Sequence, residues 1–67
     1  MIQFAPLFEK LKKENKSQFF LIKNGVDSKI MDRLRHNRNV ETKTLSKICR
    51  ILNCRLDEIA EYTPDKE

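Results

Sequence analysis

Five polar side chains near the middle of the chain have types suited to hydrogen bonding with an outside partner: Ser28, Lys29, Asp32, Arg33 and Arg35. They alternate with apolar residues at helical spacing, so they fall on the face of a short helix opposite its buried stripe. A short helix from which an arginine projects, followed by a basic loop, is what contact with the major groove of DNA requires.

The residues around this segment supply the signals that start and stop such a helix. Gly25 can take the positive φ that ends a preceding helix, and Asp27 is a favoured N-cap. Asn37 tolerates the left-handed conformation at a helix end. These signals predict a helix over Asp27–His36. Its apolar stripe is formed by Val26, Ile30 or Met31, and Leu34.

The remaining chain predicts four further helices, which makes the fold class all-α. Their predicted bounds are Pro6–Asn15, Gln18–Lys23 after an N-cap at Ser17, Thr42–Leu52 capped by Glu41 or Thr42, and Leu56–Glu61. The segment Met1–Phe4 is either a strand edge or a cover over the core. The sequence therefore predicts a compact bundle of about five short helices, with one domain over residues 1–62 and a frayed acidic tail at 63–67.

Apolar residues at helical spacing define the predicted core. Four consecutive apolar residues, Phe19 to Ile22, cannot share one stripe of a short helix, so one aromatic is expected near the surface or some are buried from two sides. The predicted core residues are Phe8, Leu11, Phe20, Leu21, Val26, Met31, Leu34, Leu45, Ile48, Leu52 and Ile59.

Charge is distributed unevenly along the 67 residues. Residues 1–55 hold 13 Lys and Arg against five Asp and Glu, whereas residues 56–67 hold one Lys against five acidic residues. A basic body with an acidic end is typical of a protein that meets a polyanion with one face, although Lys and Arg also simply keep small helical domains soluble. No apolar run has the length of a membrane span or a signal peptide, so a cytoplasmic protein is expected.

No pattern of residues indicates an enzyme, a metal site or a cofactor. Cys49 and Cys54 are five residues apart, without His or Cys partners at metal-ligand spacing, and we interpret both as reduced thiols. His36 is the only histidine, and no nucleophile–base pairing or glycine-rich phosphate loop is visible.

The order of elements and several local sequences resemble the phage repressor and Cro-type (XRE-like) helix-turn-helix family. The resemblance covers about residues 5–62. It is carried by G-V-D-S-K-I-M-D-R-L at 25–34, H-N-R-N-V at 36–40, T-L-S-K-I-C-R-I-L-N-C at 44–54 and L-D-E-I at 56–59. It implies a lambda-repressor-like fold. Asn37 and Asn53 stand where such domains often carry Gly, so positive φ is expected at both positions. Leu21 and Ile22 are large where these domains usually carry a small residue facing the third helix, so either the second helix is a residue shorter or the two helices pack further apart.

The resemblance implies that the first part of the third helix enters the major groove, with Ser28, Lys29, Asp32 and Arg33 nearest the base edges. Arg33 can bond a guanine O6 and N7 bidentately, and Lys29 can donate to the same acceptors. Ser28 specifies little, because it can donate or accept. Asp32 can accept from a cytosine amino group or orient Arg33. Alternatively, Asp32 and Arg33 form only a surface pair.

Residues on both sides of the third helix are expected to contact phosphates, which need donors rather than base-specific groups. They flank the start of the second helix and form the loop into the fourth. The expected set is Lys16, Ser17, Gln18, Arg35, Asn37, Arg38, Asn39, Thr42 and Lys43.

These features together predict a sequence-specific regulator of transcription that binds double-stranded DNA, a Cro-like repressor of bacterial or phage origin. A single domain of this size makes few contacts, so a homodimer on operator half-sites is expected, through exposed apolar residues near Ile51, Ile59 and Tyr62 or through Met1–Phe4. The alternative is a protein-interaction module of the same fold, which binds an antirepressor or a toxin and has little affinity for DNA.

Overall fold

A computed structural model describes residues 1–65, in which four α-helices and a short helical turn lie between two strands. The strands pair antiparallel, with Ile2 opposite Tyr62 and Gln3 opposite Glu61. In chain order the elements are β1 (Ile2–Gln3), α1 (Ala5–Lys13), α2 (Gln18–Lys23), α3 (Ser28–Arg35), α4 (Thr42–Leu52), a 3-10 turn (Leu56–Glu58) and β2 (Glu61–Tyr62).

The first four predicted helices are all present. The bounds of α2 and α4 are those predicted, α1 begins one residue and ends two residues earlier than predicted, and α3 is one residue shorter at each end. The large side chains of Leu21 and Ile22 therefore do not shorten α2. The mostly helical fold agrees with prediction, although the small sheet was expected only as one alternative for Met1–Phe4.

The predicted fifth helix, Leu56–Glu61, is wrong. Only three residues form a 3-10 turn, and the chain then becomes extended to pair with β1. Two apolar residues, Leu56 and Ile59, are too few to distinguish one helical turn from a full helix by spacing. Ile59 is fully buried, so it is also not available for the dimer contact expected of it. Of the expected acidic tail, Thr63 and Asp65 contact Met1, and residues 66–67 lie outside the described part of the chain.

All four α-helices end in the same hydrogen-bonded turn, the Schellman motif. In each, a backbone N–H just past the helix donates to the carbonyl five residues earlier: Lys16 to Leu11, Val26 to Leu21, Arg38 to Arg33, and Cys54 to Cys49, at 2.8–3.0 Å. The residue before each donor has positive φ: Asn15 (58°), Gly25 (106°), Asn37 (54°) and Asn53 (51°). Sequence analysis predicted this conformation for the last three but not for Asn15.

One hydrophobic core is shared by the four α-helices, the segments between them, and the residues that directly follow β1 and the 3-10 turn. Phe8, Phe20 and Leu45 were predicted to be buried but are only partly so, and they pack against its edge. Phe19 is the exposed aromatic of α2, at 65%. Among the described residues no polar or charged residue is buried. The core consists of Phe4, Leu7, Leu11, Leu21, Val26, Met31, Leu34, Val40, Ile48, Leu52 and Ile59.

A small ion-pair network connects α1 to the 3-10 turn and to the loop before α2. Lys10 Nζ lies 2.8 Å from Glu14 Oε2 and 3.3 Å from Glu58 Oε1, and Lys16 Nζ lies 3.0 Å from Glu14 Oε1. Hydrogen bonds from Lys10 and then Lys16 lower the pKa of Glu14. Hydrogen bonds from the Arg55 N–H and then from Lys10 lower the pKa of Glu58. The same two carboxylates raise the pKa of Lys10, with Glu14 contributing most.

Truncation of the core at Ile48 should destabilise the domain strongly. Ile48 is fully buried in α4, so Ile48→Ala removes packing and leaves a cavity, at a cost of about 2–5 kcal/mol in the free energy of unfolding. Urea denaturation measures the change. Phe19→Ala is the matched control, because its side chain is mostly exposed and should cost less than about 1 kcal/mol. Equal losses in the two variants would contradict the described core.

The ion-pair network should make stability depend on pH in the acid range. The depressed pKa values of Glu14 and Glu58 mean that their contribution is complete above their ordinary pKa of 4.5 and is lost as the pH falls through their folded values. The contribution of Lys10 is lost only as the pH rises past 10.5.

Lys10→Gln should therefore lower the melting temperature at neutral pH, and this difference from the wild type should shrink as the pH falls below 4.5. Thermal unfolding followed by circular dichroism at a series of pH values measures it. A difference that stays constant from neutral to acid pH would show that the network does not contribute.

Candidate nucleic-acid interface

Helix α3 is held with one face in the core and the other in solvent. Its N-cap is Asp27, whose Oδ1 accepts the backbone N–H of Lys29 at 2.7 Å, as the sequence predicted. Met31 and Leu34 are fully buried and Ile30 is half-buried, so Met31 rather than Ile30 completes the predicted apolar stripe. The outer face carries the four predicted base-contacting residues, all exposed: Ser28, Lys29, Asp32 and Arg33.

Asp32 is paired within α3, but not with Arg33. Its Oδ1 lies 3.3 Å from Arg35 Nη2 and 3.6 Å from His36 Nδ1. The expected surface pair between Asp32 and Arg33 is therefore not the pairing that the structure contains. Within residues 1–65, Arg33 makes no side-chain hydrogen bond or ion pair, so its guanidinium keeps its donors for an outside acceptor.

The start of α2 is joined to α3 by a side-chain hydrogen bond. Arg35 Nη1 donates to Gln18 Oε1 while its other terminal nitrogen contacts Asp32. Ser17 is the N-cap of α2, as predicted, but its side chain makes no capping hydrogen bond. Lys16 contacts Glu14 and lies 4.9 Å from the centre of the Phe20 ring. Of the three residues expected to contact phosphate here, only Ser17 is exposed.

The loop between α3 and α4 contains both structural and exposed polar side chains. Asn37 Oδ1 accepts the backbone N–H of Phe4 at 2.8 Å, a contact that joins the end of α3 to the start of α1. The N-cap of α4 is Glu41 rather than Thr42, and its side chain makes no capping bond. The other predicted phosphate contacts of this region are all exposed: Arg38, Asn39, Thr42 and Lys43.

Lys47 of α4 holds the turn between α2 and α3. Its Nζ donates to the carbonyl oxygen of Gly25 at 2.7 Å. A Cβ at Gly25 would lie 2.9 Å from that Nζ, and the φ of +106° is itself unfavourable for any side chain. Sequence analysis did not find this contact, because Lys47 appears as one more solvated lysine on the polar side of α4. The hydrogen bond between the Phe4 N–H and Asn37 was also missed, because nothing in the sequence marks Phe4 beyond its apolar side chain.

Helix α4 carries positive charge only. No Asp or Glu occurs in α4, where Lys43, Lys47 and Arg50 recur at helical spacing.

Among residues 1–65, no group of three metal-ligating side chains comes together, and no helix has the length and apolar character to cross a membrane. Cys49 and Cys54 are free thiols in the structure. Burial, and then the neighbouring Cys49, raises the pKa of Cys54, so its reactive thiolate is disfavoured.

Comparison with known proteins agrees with this geometry. The family model for the Cro/C1-type helix-turn-helix DNA-binding domain matches residues 9–65, which includes all four α-helices in whole or in part, the 3-10 turn and β2. No curated protein and no solved structure gave a match. Because the matched region covers most of the chain and contains the whole exposed face of α3, the protein belongs to the Cro/C1-type helix-turn-helix family of DNA-binding domains.

Proposed function

We propose that the protein is a sequence-specific transcription regulator, a Cro-like repressor that binds double-stranded DNA as a dimer on two operator half-sites. The observation that carries this proposal is the exposed polar face of α3, with Ser28, Lys29, Asp32 and Arg33 on a helix whose inner face is buried. In a DNA-binding family, such a face on the third helix is suited to the base edges of the major groove.

The four side chains differ in what they can recognise. Arg33 is the main determinant, because its uncommitted guanidinium can form a bidentate contact with guanine O6 and N7. Lys29 donates to the same kind of acceptor with less geometric constraint. The carboxylate of Asp32 contacts Arg35 through one oxygen and retains acceptor capacity for a cytosine amino group. Ser28 adds affinity and little discrimination.

The predicted phosphate-contacting residues differ in their exposure and in the hydrogen bonds they already form within the domain. Arg38, Asn39, Thr42 and Lys43 are exposed just beyond α3 and provide the main phosphate contacts. Ser17 provides a hydroxyl at the start of α2. Four other residues already form hydrogen bonds within the domain, so they contribute both to the fold and to the phosphate contacts: Lys16, Gln18, Arg35 and Asn37.

A protein-interaction module of the same fold is the second candidate function. The observation that favours it is Phe19, a large aromatic side chain that is 65% exposed on α2. In that case an antirepressor or a toxin would cover α2, and DNA affinity would be low. The two functions differ in whether the α3 face and the loop after it determine the measured activity.

Selection from random duplex DNA tests the proposed function. Purified protein at moderate salt should retain duplexes enriched in a palindrome or in two half-sites about one helical turn apart. Arg33→Ala should lose about 1–3 kcal/mol of discrimination at one base position and so relax the enriched sequence there. Retention without any enrichment would reduce the function to non-specific binding, and no retention at all would favour the protein-interaction module.

The salt dependence of binding tests the phosphate contacts separately. Arg38→Ala should weaken binding to all duplexes alike and reduce the slope of log K against log salt by about one unit, because one phosphate contact is lost. Lys13→Ala is the matched control. It removes the same charge from a surface that also contains Glu9 and Glu14, away from α3. Equal slopes in the two variants would show that the loop after α3 does not contact the backbone.

A further inference from the structure

The Schellman motif at the end of α4 differs from the other three in the two side chains that it brings together. In this motif the residue that donates the backbone N–H and the residue that accepts it commonly pack their side chains against each other. At the end of α2 these residues are Val26 and Leu21, and both are buried in the core. At the end of α4 they are Cys54 and Cys49, so the same turn places two free thiols side by side.

The backbone of this turn is close enough for a disulfide bond. The Cys54 N–H donates to the Cys49 carbonyl oxygen, with 3.0 Å between the nitrogen and the oxygen. Standard backbone dimensions then keep the two Cα atoms within about 7 Å of each other, which is the upper limit for a disulfide. A second hydrogen bond, from the Asn53 N–H to the Arg50 carbonyl oxygen at 3.3 Å, holds the turn in this conformation. The backbone separation therefore allows a disulfide without the movement of a helix.

The surroundings of the two thiols suit them to different steps of an oxidation. Cys49 lines an open surface cavity of about 290 Å³ with Ser46 and Leu56, so a small reagent can reach its sulfur. Burial contributes most to the raised pKa of Cys54, and the Cys49 thiol contributes next, which shows that the two sulfurs are neighbours. Cys49 is therefore the thiol that meets an oxidant first, and Cys54 is the second thiol beside it.

We infer that Cys49 and Cys54 form a reversible modification site, which a small disulfide such as oxidised glutathione converts into an intrachain disulfide across the end of α4. In the first step the Cys49 thiolate attacks a sulfur of oxidised glutathione, a mixed disulfide forms and one glutathione leaves as its thiolate. In the second step the Cys54 thiolate attacks the Cys49 sulfur and releases the other glutathione. The two cysteines lose two protons and two electrons, and oxidised glutathione gains them to become two reduced glutathiones.

The disulfide joins the last turns of α4 to the segment that leads into the 3-10 turn. A cross-link restricts the unfolded chain, so the oxidised protein should unfold at a higher temperature than the reduced one. The site lies at the opposite end of α4 from Thr42 and Lys43, which are proposed to contact phosphates. The inference is therefore independent of the proposed function.

Incubation of the full chain with excess oxidised glutathione, followed by intact-mass measurement, tests the site. The wild-type protein should lose two hydrogen atoms and both free thiols, and it should remain a single chain on a non-reducing gel. Its melting temperature should rise, and dithiothreitol should reverse both changes. Cys54→Ser should instead stop at the mixed disulfide, with one glutathione attached to Cys49. Circular dichroism of the reduced proteins should show equal helix content.

Cys54→Ser combined with Arg55→Cys is the matched control. It keeps two thiols in the chain but moves one of them out of the Schellman position and onto an exposed residue. This double variant should form an intrachain disulfide at least about tenfold more slowly than the wild type, because the turn no longer orients the two sulfurs towards each other. An equal rate would show that the turn does not pair the cysteines.

Three other results would each overturn the inference. The first is a wild-type protein that accumulates stable mixed disulfides, disulfides between two chains, or no modification at all. The second is a Cys54→Ser variant that takes up no glutathione at Cys49. The third is an intrachain disulfide whose oxidised form melts at a lower temperature than the reduced form, because the bond would then strain the turn instead of closing it.

Discussion

The direction in which each helix leaves its neighbour depends on one residue in the left-handed conformation. Three of these residues are asparagines and one is Gly25, and each allows the backbone N–H that follows to bond five residues back. The turn at Gly25 matters most, because it fixes α3 relative to α2. The Gly25 carbonyl accepts a hydrogen bond from Lys47 of α4, so α4 also limits how far α2 and α3 can separate.

The contacts around α3 show why its outer face can remain entirely polar. Buried Met31 and Leu34 provide the packing. Two hydrogen bonds, from Arg35 to Gln18 and from the Phe4 N–H to Asn37, fix the C-terminal end of the helix against α2 and α1. None of these contacts uses Ser28, Lys29 or Arg33. The residues that stabilise this short helix are therefore not those proposed to contact bases, and the proposed contact surface can change without loss of the fold.

How much of this structure could be predicted from the sequence depends on how far apart the interacting residues lie along the chain. The bounds of α2 and α4 and the N-cap at Asp27 were predicted because they depend on neighbouring residues. The polar face of α3 followed from spacing alone. The prediction of a fifth helix was wrong because residues 61–62 pair instead with β1, some sixty positions earlier in the chain. The hydrogen bonds of Lys47 and Asn37 were missed for the same reason, since each joins a side chain to a backbone group far away in the sequence.

The pairing of β1 with β2 has a consequence for the order in which the chain folds. These strands are separated by nearly the whole sequence, so bringing them together in an unfolded chain costs about 4 kcal/mol of loop-closure entropy. Two residues on each side cannot offset that cost alone, whereas the helices form through local contacts. The sheet therefore forms only after the helices have brought the two strands together, so the contacts between β1 and β2 are among the last to form as the chain folds.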